Sequence, residues 1–142
     1  MKRLSQSFQA RLHVFEQIRR LIDEFASLAS LVREDRHKLT LIVEELFTNT
    51  VTHGHNGDSD ASVTITLEGN KGDVELIYED AAPPFNPLVA GQRTDIDSTI
   101  KERRVGGLGI FITIGLTQEV DYSYVEGHNR IRIKLCTVVS SG

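Results

Sequence analysis

The sequence is poor in the features that build covalent cross-links or membrane anchors. Cys136 is the only cysteine among 142 residues, which excludes an intramolecular disulfide and favours a reducing compartment. The longest apolar stretch, Leu108 to Leu116, is too short to span a bilayer and is interrupted by glycine. Met1 to Arg11 is polar and basic and lacks the apolar run of a signal peptide. We therefore expect a cytoplasmic protein that makes no membrane contact.

Several common kinds of ligand site are missing as well. With 16 basic and 20 acidic residues, the net charge of -4 disfavours direct nucleic-acid binding but leaves room for a local phosphate site. No Gly-Lys-Ser or Gly-Lys-Thr sequence marks a P-loop. His53 and His55 are close together, but the other histidines are scattered and Cys136 is far along the chain. A metal protein built on these side chains is therefore disfavoured.

The length of the chain predicts one domain over residues 1–142, and hydrophobic periodicity predicts its helices and strands. Apolar residues recur at intervals of three and four in two segments, which predicts two helices, over 12–28 and from 39 to near Gly54. A long charged loop and a third helix, over 106–116, follow the prolines of 83–87. Alternating residues predict a short first strand and two hairpins, at 4–8, 63–67 with 74–78, and 119–125 with 130–138. This order predicts a two-layer α/β sandwich, with helices on one face of a mixed, mainly antiparallel sheet.

Glu45 and Asn49 stand four residues apart on the second predicted helix, which places both side chains on one face. A carboxylate accepts a proton from a hydroxyl group, and an amide oxygen is a neutral ligand that suits Mg²⁺. The alternative is that both residues occupy the solvated side of an amphipathic helix.

Asp80 follows an alternating strand, where its carboxylate is able to accept a hydrogen bond from an exocyclic amine such as that of adenine. The alternative is an ordinary aspartate that starts a turn.

Glycines at Gly106, Gly107 and Gly109 begin the third predicted helix, directly after Arg103 and Arg104. Glycine lets the backbone approach a phosphate closely, and a helix N-terminus offers unpaired N–H groups to an anion. A hinge, or a close contact between helix and sheet, explains the same glycines equally well.

Taken together and in order, these segments resemble the GHKL superfamily of ATP-binding domains. Glu44 to Gly54 is similar to its N box, and Asp80 to Pro87 to the first glycine box of its anti-sigma-factor serine/threonine kinase branch. Gly106 to Phe111 looks like the second glycine box, and the tail through Gly127 to Arg130 resembles the closing strands.

The resemblance implies a role for each segment. Glu45 is implied to be the general base, Asn49 the ligand of Mg²⁺, and Asp80 the partner of the adenine amino group. The second glycine box and the preceding lid, 87–105, are implied to bind the phosphates of ATP or ADP. Their implied contacts are Gly107, Leu108 and Gly109, with Arg103 and Arg104 either neutralising phosphate charge or lying on a solvated loop.

Ala82 departs from the family pattern, because the branch normally has glycine at this place in the first box. A positive φ there would strain an alanine by roughly 1 kcal/mol or more, and the methyl group would crowd the base. Nucleotide affinity is therefore expected to depend on Ala82.

The resemblance also implies a function. The protein would transfer the γ-phosphoryl group of ATP to a serine or threonine of a STAS-type anti-anti-sigma protein, and it would also bind a sigma factor directly. The resemblance allows for a homodimer. The chain begins almost directly at the domain, which disfavours a sensor histidine kinase with its phospho-accepting helix pair. The alternative is a catalytically weak or inactive module on the same fold that sequesters a partner.

Overall fold

The computed structural model describes residues 1–70, 72–84, 119–135 and 137. Within them, a 3₁₀ turn, Leu12–Val14, leads into the first helix, and a π-helical turn, Thr50–Gly54, continues the second. The strands and helices in chain order are β1 (Lys2–Gln9), α1 (Phe15–Leu28), α2 (Arg33–Asn49), β2 (Ser62–Asn70), β3 (Asp73–Asp80), β4 (Glu119–Val125) and β5 (His128–Leu135).

The five described strands form one sheet in the order β1-β2-β3-β5-β4. Every pairing among them is antiparallel, and β3 lies at the centre between β2 and β5. The two-layer α/β sandwich predicted from the sequence is confirmed, with the described part of its sheet antiparallel throughout. The predicted helix over 106–116 lies outside the described residues.

One face of the sheet is apolar and packs against the two helices. Alternate residues of β2 and β3, such as Val63, Ile65 and Leu76, are fully buried. The helices contribute stripes at intervals of three and four, which include Ile18, Ile22 and Phe25 of α1 and Leu39, Ile42 and Val43 of α2. Burial of each such side chain stabilises the fold by roughly 1.5–3 kcal/mol before entropy is counted.

The opposite face of the sheet is polar. Ser5 and Ser7 of β1 hydrogen-bond to Thr66 and Thr64 of β2, each at 2.8 Å. Such alternation is typical of an antiparallel sheet with one solvated face, and it explains why the sequence pattern has a period of two.

The first helix ends at Leu28, as predicted, in a cap that the sequence pattern did not predict. After α1, Ser30 has a φ of 56°, and the Leu31 N–H donates to the Ala26 carbonyl at 2.9 Å. These features form a Schellman cap, with serine in the left-handed position that usually holds glycine.

None of the described helices is long and apolar enough to cross a membrane.

Candidate functional site

A pocket lies where the end of α2 meets β3 and β5. It brings together three of the predicted site residues: Asn49 from the end of α2, Asp80 from the end of β3, and Ala82 just after β3. Its other lining residues come from α2, its π-helical extension, β3 and β5: Leu46, Thr50, Gly54, Tyr78, Asn129 and Ile131. The space within it is about 30 Å³, enough for one or two water molecules. A whole purine therefore needs adjacent space as well.

Asp80 is buried and is held on one side by Thr50. The Thr50 hydroxyl lies 2.7 Å from Asp80 Oδ2, 2.7 Å from the Tyr78 hydroxyl and 3.0 Å from the Leu46 carbonyl oxygen. A hydroxyl group has one proton, and Asp80 Oδ2 and the Leu46 carbonyl are both acceptors. Tyr78 must therefore be the donor to Thr50, and Thr50 in turn donates chiefly to the closer, charged acceptor, Asp80.

Burial keeps Tyr78 in the protonated form that this direction requires. It is the main reason why the pKa of the Tyr78 phenol is raised well above its ordinary value. The nearby Asp80 charge raises that pKa further, and the hydrogen bond with Thr50 opposes the rise. The phenol is thus protonated, and able to donate, at neutral pH.

Asn129 holds Asp80 on the other side. This buried β5 side chain donates from Nδ2 to Asp80 Oδ1 at 2.9 Å, and to the carbonyl oxygens of Ala82 at 3.1 Å and Pro83 at 3.0 Å. The Tyr122 hydroxyl of β4 donates to its Oδ1. Because two amide protons serve three acceptors, Asn129 ties the carboxylate to the turn that follows it.

The π-helical turn after α2 brings its backbone against the turn after β3. A Cβ placed on Gly54 would lie 2.8 Å from the Ala82 Cβ, closer than two carbon atoms can approach without a shift. Glycine at position 54 thus leaves the space that the Ala82 methyl group occupies. π-helical turns are frequently found at functional sites, and this one includes Thr50 at its start.

Ala82 does not carry the backbone strain that a positive φ would cause. Among the described residues, the non-glycine positions with positive φ are Ser30, Asn56 and Glu126. Ala82 is only 3% exposed, its N–H donates to Asp80 Oδ1 at 3.2 Å, and it lines the pocket. The strain expected under a positive φ is therefore absent, while the expected narrowing of the pocket by the methyl group remains a prediction.

Glu45 lies one helical turn before Asn49 and is not among the described residues that line the pocket. Its side chain is partly buried, and this burial is the first cause of a raised pKa for its carboxyl group. The neighbouring Glu44 charge adds to the rise, and His53 opposes it. A raised pKa makes a carboxylate a stronger base, which suits proton abstraction.

Comparison with known families assigns the fold to one family. The model of the histidine kinase-like ATPase domain, HATPase_c_2, matches residues 8–135. The chain belongs to this family.

Two curated relatives place this ATPase domain near the anti-sigma-factor branch. Both are named serine-protein kinase RsbW, from Listeria monocytogenes with 28% identity and from Listeria innocua with 27% identity. Each alignment covers 112 residues, 77% of this chain and 71% of the relative. The resemblance to the GHKL superfamily and its anti-sigma-factor kinase branch is thereby confirmed.

Solved structures support the fold of the ATPase domain. The RsbU and RsbW domains of Rv1364c from Mycobacterium tuberculosis superpose with a TM-score of 0.66 over 99% of this chain, at 14% identity. This chain spans only 35% of that longer chain. The catalytic domain of the histidine kinase ThkA superposes with a TM-score of 0.55 over 96% of this chain and 99% of its own length, at 12% identity.

Some predicted site residues of this ATPase domain lie outside the described residues, and others were missed. Arg103, Arg104, Gly107, Leu108 and Gly109 all fall within 85–118, which is not described. Sequence reasoning assigned no role to Thr50 and Asn129, whose side chains bind Asp80, or to Tyr78, which binds Thr50. The available signals were polar side chains at inward-facing strand positions: Tyr78 stands two residues before Asp80, and Asn129 stands two before Ile131.

Proposed function

We propose that this domain is a Mg·ATP-dependent serine/threonine protein kinase that acts as an anti-sigma factor. Its substrate would be a STAS-type anti-anti-sigma protein, and a sigma factor would be a second partner. The observation that carries the proposal is the convergence of Asn49 and Asp80 on one pocket, with Asp80 buried and oriented by three donors. The names of the relatives support the reaction class.

Asp80 is suited to recognise the adenine amino group. A carboxylate has about four acceptor sites on its two oxygens, and three of those on Asp80 receive protein donors. The remaining site favours a ligand that brings one N–H donor, and the 6-amino group of adenine is such a ligand. Because Thr50 and Asn129 hold the carboxylate, little rotamer entropy is lost when the base binds.

Asn49 is suited to hold Mg²⁺ that arrives with the nucleotide. Its amide is half-buried at the pocket, and an amide oxygen is a hard, neutral ligand. Within the described residues no group of three or more His, Cys, Asp or Glu could hold a metal ion. One amide oxygen fits an ion whose other ligands are phosphate oxygens and water, and such an ion neutralises phosphate charge.

In this proposal Glu45 acts as the general base. It takes the proton of the attacking serine or threonine hydroxyl, whose oxygen forms a bond to the γ-phosphorus. The bond from that phosphorus to the β–γ bridging oxygen breaks, which yields ADP and a phosphorylated side chain. Positioning and charge neutralisation supply most of the rate enhancement in such transfers.

Calorimetric titration with ATP and ADP, with and without Mg²⁺, tests the nucleotide site first. We expect Mg²⁺-dependent binding that Asn49→Ala weakens and that Glu45→Ala leaves largely intact. Transfer of the γ-phosphoryl group to a purified STAS-domain protein then tests the reaction, and Glu45→Ala should abolish most of it. Unchanged Mg·ATP affinity in Asn49→Ala would contradict the role of Asn49, and full transfer by Glu45→Ala would contradict the role of Glu45.

A second candidate function, partner sequestration without catalysis, is favoured by one observation. The Ala82 methyl group is buried in the wall of a pocket whose space is about 30 Å³. No binding at millimolar nucleotide, with a STAS-domain protein or a sigma factor still bound tightly, would favour this candidate. If Ala82→Gly then restored ATP binding, the methyl group itself would be the cause.

A further inference from the structure

Asn129 lies opposite Thr50 in the group of side chains that holds Asp80, and its position bears on which base the pocket accepts. We propose that Asn129 is a specificity-determining residue that excludes guanine by filling Asp80 Oδ1. The inference rests on the proposed nucleotide site and identifies the residue that restricts the base.

The argument begins with the acceptor sites of the Asp80 carboxylate. Oδ1 receives two donors, Asn129 Nδ2 at 2.9 Å and the Ala82 N–H at 3.2 Å. Among the described residues, Oδ2 receives one donor, the Thr50 hydroxyl at 2.7 Å. Each carboxylate oxygen accepts about two hydrogen bonds, so Oδ1 is filled and Oδ2 has one site left.

Adenine and guanine make different demands on such a carboxylate. Adenine presents a single amino donor beside the N1 acceptor, and one free site on Oδ2 satisfies that donor. In guanine a carbonyl oxygen takes the place of this amino group, and a carboxylate repels that oxygen. Guanine binds a carboxylate well only through N1–H and its 2-amino group together, and these parallel donors need an open site on both oxygens.

The filled Oδ1 therefore acts against guanine. One of the two guanine donors would be buried without an acceptor, and an unpaired buried donor costs a large part of the binding free energy. Asn129 is held in place, because it is 4% exposed and also donates to the Ala82 and Pro83 carbonyl oxygens. The Tyr122 hydroxyl fixes the orientation of the Asn129 amide by donating to Asn129 Oδ1.

The test compares ATP and GTP affinity, each with Mg²⁺, in the wild-type protein and in Asn129→Leu. Leucine has the same branching and the same number of side-chain heavy atoms, with larger methyl groups and no donor, so Asn129 no longer fills a site on Oδ1. We expect the ratio of ATP to GTP affinity to fall by roughly tenfold or more, the effect of one hydrogen bond to a charged group. Ile133→Val, at a buried position of β5 opposite Leu76 rather than Asp80, serves as the control for lost stability and should keep the wild-type ratio.

The possible outcomes separate this inference from the proposed function. An unchanged ratio in a folded Asn129→Leu overturns the role of Asn129 and leaves the ATP site standing. Absence of ATP binding in the wild-type protein contradicts the proposed function itself, and this inference with it. Asn129→Ala removes the same donor with less apolar bulk and replaces Asn129→Leu if that variant does not fold.

Discussion

At the scale of single residues, Thr50 contributes most to the order of the pocket. It accepts from Tyr78, donates to Asp80, and is buried together with both of them. Thr50→Val keeps the shape but removes the hydroxyl, which leaves the Tyr78 phenol without its described acceptor and Asp80 with one donor fewer. We expect the free energy of unfolding to fall by roughly 1–3 kcal/mol, measured by urea denaturation.

Thr50→Ser is the matched control, because it retains the hydroxyl and removes a methyl group. Its free energy of unfolding should fall by the contribution of one buried methyl group, roughly 1 kcal/mol. A Thr50→Val variant as stable as the wild-type protein would mean that the hydroxyl contributes little, and the hydrogen bonds assigned to it would lose their support.

Glu45 makes a prediction about pH. A general base must be ionised, so transfer should fall as the pH drops through the pKa of Glu45, which burial, and then Glu44, raise above the ordinary value. Glu44→Gln removes the nearby like charge and lowers that pKa. The acid limb of the transfer rate should therefore move to lower pH, as measured by initial rates at saturating Mg·ATP.

Glu34→Gln, in the first turn of α2, is the control for a simple change of net charge. It should leave the acid limb where it is in the wild-type protein. A limb that moves equally in both variants, or toward higher pH in Glu44→Gln, would argue against Glu45 as the titrating base.

At the scale of secondary-structure elements, the site depends on the contact between the π-helical turn and the turn after β3. Gly54 and Ala82 face each other there, and an added Cβ at position 54 would lie 2.8 Å from the Ala82 Cβ. Gly54→Ala should therefore cost roughly 1–3 kcal/mol of unfolding free energy through overpacking. In the Ala82→Gly background the opposing methyl group is gone, and the same substitution should cost little.

A double-mutant cycle measures this coupling directly. We expect an interaction free energy of about 1 kcal/mol or more between the two positions. Additive effects would mean that the two turns yield without strain, and the packing of Ala82 against Gly54 would not explain how this chain accommodates an alanine.

The elements also show how far the sequence alone was informative. Period-two alternation predicted β2, β3 and β4 closely, because one face of the sheet is apolar and the other polar. The spacing of Glu45 and Asn49 predicted a shared helix face, because residues four apart in a helix lie on the same side. The π-helical turn was not predicted, since it depends on contacts with the sheet rather than on local residue preference.

The partners of Asp80 were beyond sequence reasoning for a related reason. Thr50 and Asn129 are far from Asp80 in the chain, and the pairing of β3 with β5 brings Asn129 opposite Asp80. A buried polar residue in an alternating strand signals a hydrogen bond but not its partner.

At the scale of the whole molecule, the pocket joins the helical layer to the sheet, so a bound nucleotide should stabilise the entire domain. At about a hundred times its Kd, a ligand that binds only the folded state adds about 2.7 kcal/mol to the free energy of unfolding. The midpoint of thermal unfolding should therefore rise with ATP and Mg²⁺ in the wild-type protein.

The variant Asp80→Asn tests whether stabilisation by the nucleotide depends on the Asp80 carboxylate while the fold is retained. The new amide can direct its oxygen toward the donors of Asn129 and Ala82 and its NH₂ toward Thr50, whose hydroxyl then donates to the Leu46 carbonyl. The folded state thus loses only about 1 kcal/mol, since each buried group retains a partner. The ligand, however, meets a donor where adenine needs an acceptor. The variant should unfold at nearly the wild-type midpoint without nucleotide and gain little from ATP; a full gain would show that Asp80 does not receive the base.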